Sequence, residues 1–496
     1  MPSVINTNVS SLLSQNALSK NSTALQNSME RLSTGVRINS AKDDAAGLAI
    51  TTRMTSEIRG LTAAVRNAND GISVAQTAEG SLGEITNILQ RLRELAVQSA
   101  NSSNNPTDRS FLDTEAQQLI AETNRIGSQT NFNGIALLNG GFTSQNFQVG
   151  AKEGEVIAFN SIADSRASAL GSHSLTTDGS FMGKALATSI ADEAAAINGV
   201  LVADAAVGFK LQTAQGGTSS NIIYAVSSGA DVIAAAINTA ANASGVTATA
   251  KNSATLNSLS AAGTVAFKLK GGAGTTVNIN ATITATSDLS TVAAAINGAT
   301  NTTGITASFA GADKSILTLD TSDGRNIIIS DFLIAGTATN TAKVNAIAIG
   351  AATTSDSTVV TGTISMVSSK GQITAVNAPV GVIAAATTTS TFSSVASLSL
   401  TTQAGSSTAL SVIDQALTQV NNTRSALGGL MNRFAATVSN QGTTIANLTA
   451  SRSRIMDTDY AVETTNLAKA QIIQQAATAM LAQANQSSQS VLALLK

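Results

Sequence analysis

The chain has 496 residues, of which 43% are hydrophobic, 12% charged and 3% aromatic, and its formal net charge is −2. This charged fraction is about half the usual share, and the near-neutral balance gives no electrostatic reason to expect nucleic acid or an anionic membrane as a partner. The sequence has no cysteine, which excludes disulfides, thiolate metal sites and cysteine nucleophiles.

The start of the sequence predicts a protein without a cleaved secretory signal. The first charged side chain is Lys20, and no basic segment followed by an apolar segment precedes it. We therefore expect a chain that stays in the cell or leaves by a route that reads another signal. Composition then divides the sequence into helical ends, 1–170 and about 400–496, and a middle rich in Thr, Ala, Gly and Ser. The two ends are predicted to pair, with the middle inserted between them.

The first arm predicts a series of amphipathic helices. One follows the cap-like Asn6–Asn8 region, ends at Gly35, and repeats apolar residues at threes, fours and sevens. Ser40 with Asp43 fits a capping box that opens a second long helix. A separate run, 81–101, aligns Leu82, Ile85, Leu89, Leu92 and Ala96 on one stripe, and another helix follows Pro106. Turn dipeptides and strand-like runs then extend to about Phe159.

The second arm predicts one long helix from about Ile413 and a last helix from about Tyr460. In the last helix a heptad stripe indicates a coiled-coil seam; it consists of Ile473, Met480, Ala484, Ser487, Val491 and Leu494. A second stripe, Leu467, Ala470, Ala477 and Leu481, faces elsewhere, so one partner helix would not cover both.

Residues 471–496 carry one charged side chain, Lys496, yet contain many Gln, Asn and Ser. A membrane span is disfavoured because these amides would lack partners in lipid. We expect a tail that becomes ordered by packing on the N-terminal arm and on neighbouring copies.

The middle of the chain contains an internal repeat. Residues 209–250 and 267–309 each predict a strand, a Gly-rich turn, a strand, a short helix ending in Ile-Asn, and a strand. A third fragment lies at 194–200, and strands near 315–335 and 357–367 are expected to complete the sheets. Two small mixed α/β units are predicted.

No residue pattern favours an enzyme. Asp43 and Asp44 follow a helix cap and are interpreted as charge complementation of the helix terminus. His173, the single histidine, has no triad-like neighbours and is interpreted as a linker residue. Residues 270–276 lack the end of a phosphate loop and predict a hairpin turn. Residues 320–326 depart from the calcium-loop pattern and predict an Asp-Gly turn.

The terminal stretches resemble bacterial flagellin, the subunit of the flagellar filament. The matching stretches are INTNVSSLLSQNAL, ERLSTGVRINSAKDDAAGLAI, LQRLRELAVQSANSSN, QTNFNGIALLNG, ASALG at 167–171, and the ending from SRIMDTDYAVETTNLAKAQ through AMLAQANQSSQSVLALL. The Ile-Asn repeats are similar to the motif of some flagellin and hook-associated outer domains. The resemblance implies a multidomain α + β fold, with paired coiled-coil arms and an inserted β-rich outer region.

The resemblance also implies domain boundaries. Residues 1–44 with 455–496 would form the terminal helical polymerisation domain, 45–171 with 403–454 a helical rod domain with a β-hairpin, and 172–402 variable outer domains. The polymerisation interface would comprise Leu12, Leu18, Leu25, Met29, Leu32, Ile473, Met480, Ala484, Val491 and Leu494. A ridge at the edge of the buried face would contact neighbouring subunits and the host flagellin-sensing Toll-like receptor; it comprises Gln90, Arg91, Leu95, Gln98 and Glu115.

The function implied is a self-assembling, non-enzymatic filament subunit for motility, extracellular and without cofactors. Export would be unfolded, without a cleaved signal. Partners would be further copies, the flagellar export apparatus and a C-terminal export chaperone, hook-associated and filament cap proteins, and the host receptor, with no nucleic acid and no membrane insertion. Two alternatives remain open. One is a hook–filament junction protein, and the other is a secreted adhesin that binds through the outer repeats.

Overall fold

The computed structural model describes residues 7–177, 179, 182–188, 208–225, 228–272, 274–309, 313–335, 340–350, 356–368, 370–379, 381–384 and 388–494, of which 186–188 and 487–494 are described as backbone alone. The chain divides into two compact units. The first unit comprises Met1–Ala78, Phe142–Ser161 and Ala426–Lys496, and the second comprises Glu79–Gly141 and Ile162–Ser425. The three-domain division drawn from the sequence stays a prediction.

Helix α1, Val9–Thr34, begins and ends where the sequence predicts. The Asn8 side chain accepts a hydrogen bond from the Ser11 backbone N–H, which caps the first turn. Gly35 follows the last turn with a φ of 72°, the left-handed conformation that glycine adopts without a Cβ clash. The helix is therefore set by local residues at both ends.

Helix α2, Ala45–Ala100, is one continuous helix, so the prediction of two separate runs is wrong. Gly80, just before the predicted second run, does not adopt the left-handed conformation that ends a helix. The predicted Ser40 cap is also wrong, since residues 41–43 form a turn ahead of the helix. The cap is Asp44, whose Oδ1 accepts from the Gly47 N–H at 2.8 Å.

Helix α3, Pro106–Gln129, confirms the helix expected after Pro106. Asn105 and Asp108 form a reciprocal capping box at its start. The chain then turns through Asn133 and Gly134, both with positive φ, between strands β1 and β2. These strands are Asn131–Phe132 and Ile135–Ala136, and a second hairpin is formed by β3, Gln145–Gln148, and β4, Val156–Phe159.

The strands of the middle region supply three sheets. Their bounds are β5 Gly171–Thr176, β6 Ala185–Thr188, β7 Lys210–Thr213, β8 Gly217–Thr218, β9 Val246–Asn257, β10 Gly263–Gly271, β11 Val277–Ile283, β12 Thr306–Phe309, β13 Leu317–Thr321, β14 Ile327–Ile334, β15 Ala342–Val344, β16 Ile347–Ile349, β17 Ser357–Val360, β18 Thr363–Ser368, β19 Ile373–Val376 and β20 Thr391–Ser394. One sheet has the order β11-β10-β14-β17-β6 and another β12-β13-β9-β18-β5-β20, with β15 beside β9 and β16 beside β15; the third is β19-β7-β8. All these pairings are antiparallel.

The internal repeat is confirmed in detail by two short helices, α4, Ala230–Ala240, and α5, Ser290–Gly298. The side chain of Asn238 donates to the Ala248 carbonyl and accepts from the Ala248 N–H, at 2.8 and 2.7 Å. Asn297 makes the same pair of bonds with Ala307, at 2.9 and 2.7 Å. In each copy the preceding isoleucine is fully buried, so Ile-Asn anchors the helix and holds the next strand. The third fragment, 194–200, lies outside the described residues.

The Asp-Gly turn expected within 320–326 is confirmed at Gly324, and β13 and β14 on either side of it belong to different sheets. His173, interpreted as a linker residue, lies in a strand, β5, opposite Phe392 of β20. The hairpin expected at 270–276 is confirmed by the pairing of β10 with β11.

A short helix, α6, Thr300–Thr303, follows α5, and the helical arm resumes with α7, Gln403–Met456, and α8, Tyr460–Leu494. In the second unit the predicted stripe on α2 is fully buried, together with Ile413 and Val420 of α7. In the first unit Phe434 packs on Phe147, with ring centroids 5.6 Å apart, and against Gly71. The predicted fold class, helical termini around a β-rich α + β middle, is confirmed.

Candidate assembly surface

The terminal helices α1 and α8 pack on each other in antiparallel orientation. The Asn8 side-chain amide donates to the Ala484 carbonyl at 2.9 Å, and the Asn21 amide donates to the Ala470 carbonyl at 2.7 Å. A third bond joins the Ser11 hydroxyl to the Asn485 side chain at 2.9 Å. Side-chain amides aimed at helix carbonyls thus set the register of the pair.

The residues that face each other across this pair form the arm seam. On α1 they follow heptad spacing and are buried or half-buried: Ser11, Ser14, Leu18, Asn21, Leu25, Ser28 and Leu32. On α8 they are Glu463, Leu467, Ala470, Gln474, Ala477, Leu481 and Ala484. Small and polar residues alternate with leucine, which permits close helix contact but buries little hydrocarbon.

Among the described residues of the heptad stripe predicted on α8, Ala484 lies in the seam with α1, but Ile473 and Met480 do not. Ile473 and Met480 are 42% and 63% exposed, whereas the second stripe lies in the seam. Two heptad registers coexist on the helix, and the smaller residues of the second one, Ala470 and Ala477, allow the close approach to α1. The side chains of Val491 and Leu494 lie outside the described part of the chain.

The ends of the two arms are joined where α1 and α7 finish. The Arg37 N–H donates to the Met456 carbonyl at 2.6 Å, and the Thr458 N–H donates to the Gly35 carbonyl at 3.0 Å. Arg31 lies 3.9 Å from the buried carboxylate of Glu463. These contacts fix where the arm seam begins.

Large apolar side chains cover the outside of the same two helices. We call them the outward apolar set: Val9, Leu12, Leu13 and Met29 on α1, and Tyr460, Val462, Ile472, Ile473 and Met480 on α8, all between 42% and 67% exposed. Of the predicted interface residues, Leu12, Met29, Ile473 and Met480 belong to this set. Leu18, Leu25, Leu32 and Ala484 instead lie in the arm seam. An apolar surface of this kind typically marks an interaction site.

A second surface lies in the other unit, on α2 and α3. The Arg91 guanidinium bonds the Glu94 and Glu115 carboxylates, each at 2.9 Å, and these hydrogen bonds, Glu94 first, raise the pKa of Arg91. Gln90 and Gln98 are exposed on the same stretch. The predicted ridge is wrong for Leu95, which is 1% exposed because it turns inward beside Leu92 and Ala96.

Sequence reasoning missed three other outward residues of α2 and α3. Arg93 bonds Asp414 of α7 at 2.7 Å, and Val97 and Phe111 are 50% and 70% exposed. Phe111 lies one position before the apolar stripe of α3 begins. This offset from the stripe is the sequence signal that would have predicted an outward-facing aromatic side chain. Arg93 and Asp414 are 321 residues apart in sequence, so no local pattern pairs them.

The described residues hold no group of three or more His, Asp or Glu side chains that could bind a metal ion. None of the helices in the described ranges is long and apolar enough to cross a membrane.

Comparison with known proteins identifies the family. The chain matches the models of the bacterial flagellin N-terminal helical region at 5–143, the bacterial flagellin C-terminal helical region at 410–495, and the flagellin hook IN motif at 264–328. A flagellin of Salmonella muenchen is 38% identical over 526 residues, and B-type flagellin of Pseudomonas aeruginosa is 38% identical over 517, each with 100% of both chains covered. The structure of FliC from Burkholderia pseudomallei is 20% identical and covers 73% of this chain and 99% of that one, with a TM-score of 0.30.

The family models and the full-length relatives define a structural protein of the bacterial flagellum. This chain belongs to the bacterial flagellin family, whose members are structural subunits of the flagellar filament.

Proposed function

We propose that this chain polymerises by packing its outward apolar set against the arms of neighbouring copies. The supporting observation is that nine large apolar side chains stay 42–67% exposed on two helices that are already paired with each other. Full burial of one such side chain stabilises an assembly by about 1.5–3 kcal/mol. Burial between copies would therefore supply the apolar core that the arm seam lacks.

The composition of the arm seam bears on export. A helix pair held by Ser, Asn, Gln and Ala, with leucine at intervals, loses little when it opens, because its polar groups can bond water instead. The arms would accordingly be unfolded in the free chain and ordered in the filament. This favours export of the unfolded chain through the flagellar apparatus, without a cleaved signal. An export chaperone would bind the C-terminal arm before export. The filament would then stand outside the cell, between hook-associated and cap proteins.

The Arg91 surface is proposed to contact a neighbouring subunit in the filament and the flagellin-sensing Toll-like receptor when the subunit is free. Its support is an exposed, fixed array: Arg91 held between two carboxylates, flanked by Gln90 and Gln98, with Phe111 exposed on α3. Aromatic side chains and arginine are enriched at protein interfaces relative to the rest of the surface. The buried side chain of Leu95 would not touch the partner directly; it would pack beneath this surface and support it.

Assembly of the intact chain beside a chain ending at Asp459 tests polymerisation. Both would be nucleated with filament fragments and examined by electron microscopy, with long tubes expected from the intact chain alone. Tubes from both chains would contradict the proposal. Short, self-limiting assemblies from the intact chain would favour a hook–filament junction protein instead. Binding of cells or surfaces that survives loss of the tail would favour the adhesin.

A single substitution locates the contact more closely. Ile472→Gln removes the most exposed large apolar side chain in the described part of α8, where Ile472 is 67% exposed. Ile223→Gln, at 59% exposure, is a matched control in the middle region. The Ile472 variant is expected to raise the protein concentration needed for assembly at least tenfold, and the Ile223 variant to leave it unchanged. Equal behaviour of the two variants would remove α8 from the interface.

Receptor recognition can be tested with a matched pair of arginine variants. Arg91 and Arg125 are similarly exposed, 51% and 54%, and each is paired with glutamate on the same face of a helix. In a reporter-cell assay with monomeric protein, Arg91→Ala is expected to lower activation at least tenfold and Arg125→Ala to have little effect. Full activity of the Arg91 variant would overturn this part of the proposal without touching polymerisation.

A further inference from the structure

Two strands connect the helical residues of the second unit with its sheets. β5 leaves the helical region after Leu170, β20 returns to it before α7, and the two pair with Gly171 opposite Ser394 and His173 opposite Phe392. We call this pair the two-strand joint. β20 lies at the edge of its sheet, so its ladder hydrogen bonds are those to β5. Any bending of the sheets relative to α3 and α7 in this unit must pass through the joint.

A cleft of about 480 Å³ lies beside the joint. His173 and Phe392 contribute from the joint itself, Asp164 and Gln419 from the helical side, and Gln215 and Lys370 from turns at the ends of strands. Among the described residues, the charged side chains that line it are Asp164 and Lys370. Asp164 is already bonded by Arg166 at 2.6 Å, and the Lys370 ammonium donates to the Ala243 carbonyl at 3.2 Å. His173 therefore shares the cleft with the positive charge of Lys370 and with a carboxylate that Arg166 already neutralises.

The His173 ring is placed so that its protonated form is poorly accommodated. Its centroid lies 4.8 Å from that of Phe392, and its Nδ1 is buried with no hydrogen-bond partner among the described residues. Both ring nitrogens of an imidazolium are donors. An Nδ1–H would lack an acceptor here, and the new charge would share the cleft with Lys370.

We propose that the two-strand joint is an acid-sensitive hinge, in which protonation of His173 loosens the pairing of β5 with β20 and opens the cleft. Opening gives Nδ1 access to water, which supplies the hydrogen-bond partner that the closed joint lacks. The inference concerns the second unit of a single chain and does not depend on the proposed polymerisation contacts.

The direction of the pH dependence follows from linkage. Burial lowers the pKa of His173 in the closed joint below its ordinary value of about 6.5. The closed state then binds fewer protons than the open one, so the stability of the closed joint is complete above about pH 6.5 and is lost as pH falls through the pKa of the closed state. Each unit between the two pKa values corresponds to about a tenfold change in the opening equilibrium.

The sequence contains one histidine, so its imidazole NMR signals in the full chain are unambiguous. The expected result is a His173 pKa below 6.5, with a fall in the hydrogen-exchange protection factors of the 391–394 amides between pH 7 and pH 5. Amides of β10 serve as the internal reference and should keep their protection. A His173 pKa at or above 6.5 would overturn the proposal.

Two variants separate titration from packing. His173→Phe keeps an aromatic ring beside Phe392 and His173→Gln keeps a polar side chain, and neither titrates in this range. Protection of the 391–394 amides should be independent of pH in both. A fall as large in either variant as in the parent chain would contradict the hinge. The titration of the parent chain decides the matter even if one variant does not fold.

Discussion

Two helical packings in this chain bury opposite kinds of side chain. Along α2 the stripe from Leu82 to Ala96 is leucine, isoleucine and alanine at 0–1% exposure. Along α1 the buried residues of the arm seam are Ser11, Asn21 and Ser28. A buried leucine contributes about 1.5–3 kcal/mol and a typical internal hydrogen bond about 0.5–1.5 kcal/mol. The first packing can hold a single chain folded, and the second is suited to specifying register in an assembly.

The largest effect is expected from the α2 stripe. Leu89→Ala removes a fully buried side chain and should lower the free energy of unfolding by about 2–5 kcal/mol, measured by denaturant unfolding. Leu12→Ala is the matched control on α1, where the side chain is 54% exposed, and should change it by less than about 0.5 kcal/mol. Similar losses from both would mean that the arms are as much a part of the monomer core as α2.

A glycine pair tests the close packing of the first unit. A Cβ at Gly71 would lie 2.8 Å from the ring of the fully buried Phe434, so Gly71→Ala should destabilise the chain by about 1–3 kcal/mol. A Cβ at Gly80, elsewhere on α2, meets nothing within 4 Å, and Gly80→Ala should stabilise by about 0.5–1 kcal/mol. Thermal unfolding of both variants distinguishes steric packing from helix propensity. Opposite signs are required by this structure.

Substitutions in the arm seam should weaken polymerisation and leave the folding of the monomer almost unchanged. Asn21→Ala removes the buried bond to the Ala470 carbonyl and should weaken polymerisation by about 1 kcal/mol for each subunit, with little change in monomer unfolding. Asn16→Ala changes an exposed asparagine of the same helix and serves as the control. The assembly concentration measured by sedimentation should rise several-fold for the first variant alone. A rise for neither would show that the asparagine does not set the register.

The smallest effect on stability is expected at Arg91. Its side chain is 51% exposed, and exposed ion pairs contribute little to stability because solvent screens them. Arg91→Ala should therefore leave the unfolding midpoint almost unchanged. A large loss of stability would mean that the array with Glu94 and Glu115 serves the fold of this unit instead of a contact with another molecule.

Local rules predicted much of this molecule. The ends of α1, the start of α3 and the two Ile-Asn modules follow from caps, turns and periodicity that lie within a few residues. The inward turn of Leu95 and the continuity of α2 through residue 80 were missed, because both depend on what packs against α2 from distant parts of the chain. The sequence also could not indicate which of the two heptad stripes of α8 packs on α1, because both stripes have the correct spacing. Only the contact with α1 distinguishes them. The pairing of Arg93 with Asp414 and the place of His173 in a strand needed the fold itself.

The central claim is that the arm seam forms stably on assembly and that α2 is packed beforehand. Amide hydrogen exchange of the same protein, free and in filaments, measures this directly. In the free chain, amides of 9–34 and 460–486 should exchange close to unfolded rates, while those of 82–96 are protected; in filaments both groups should be protected. Protection of the arms in the free chain equal to that of 82–96 would contradict the account.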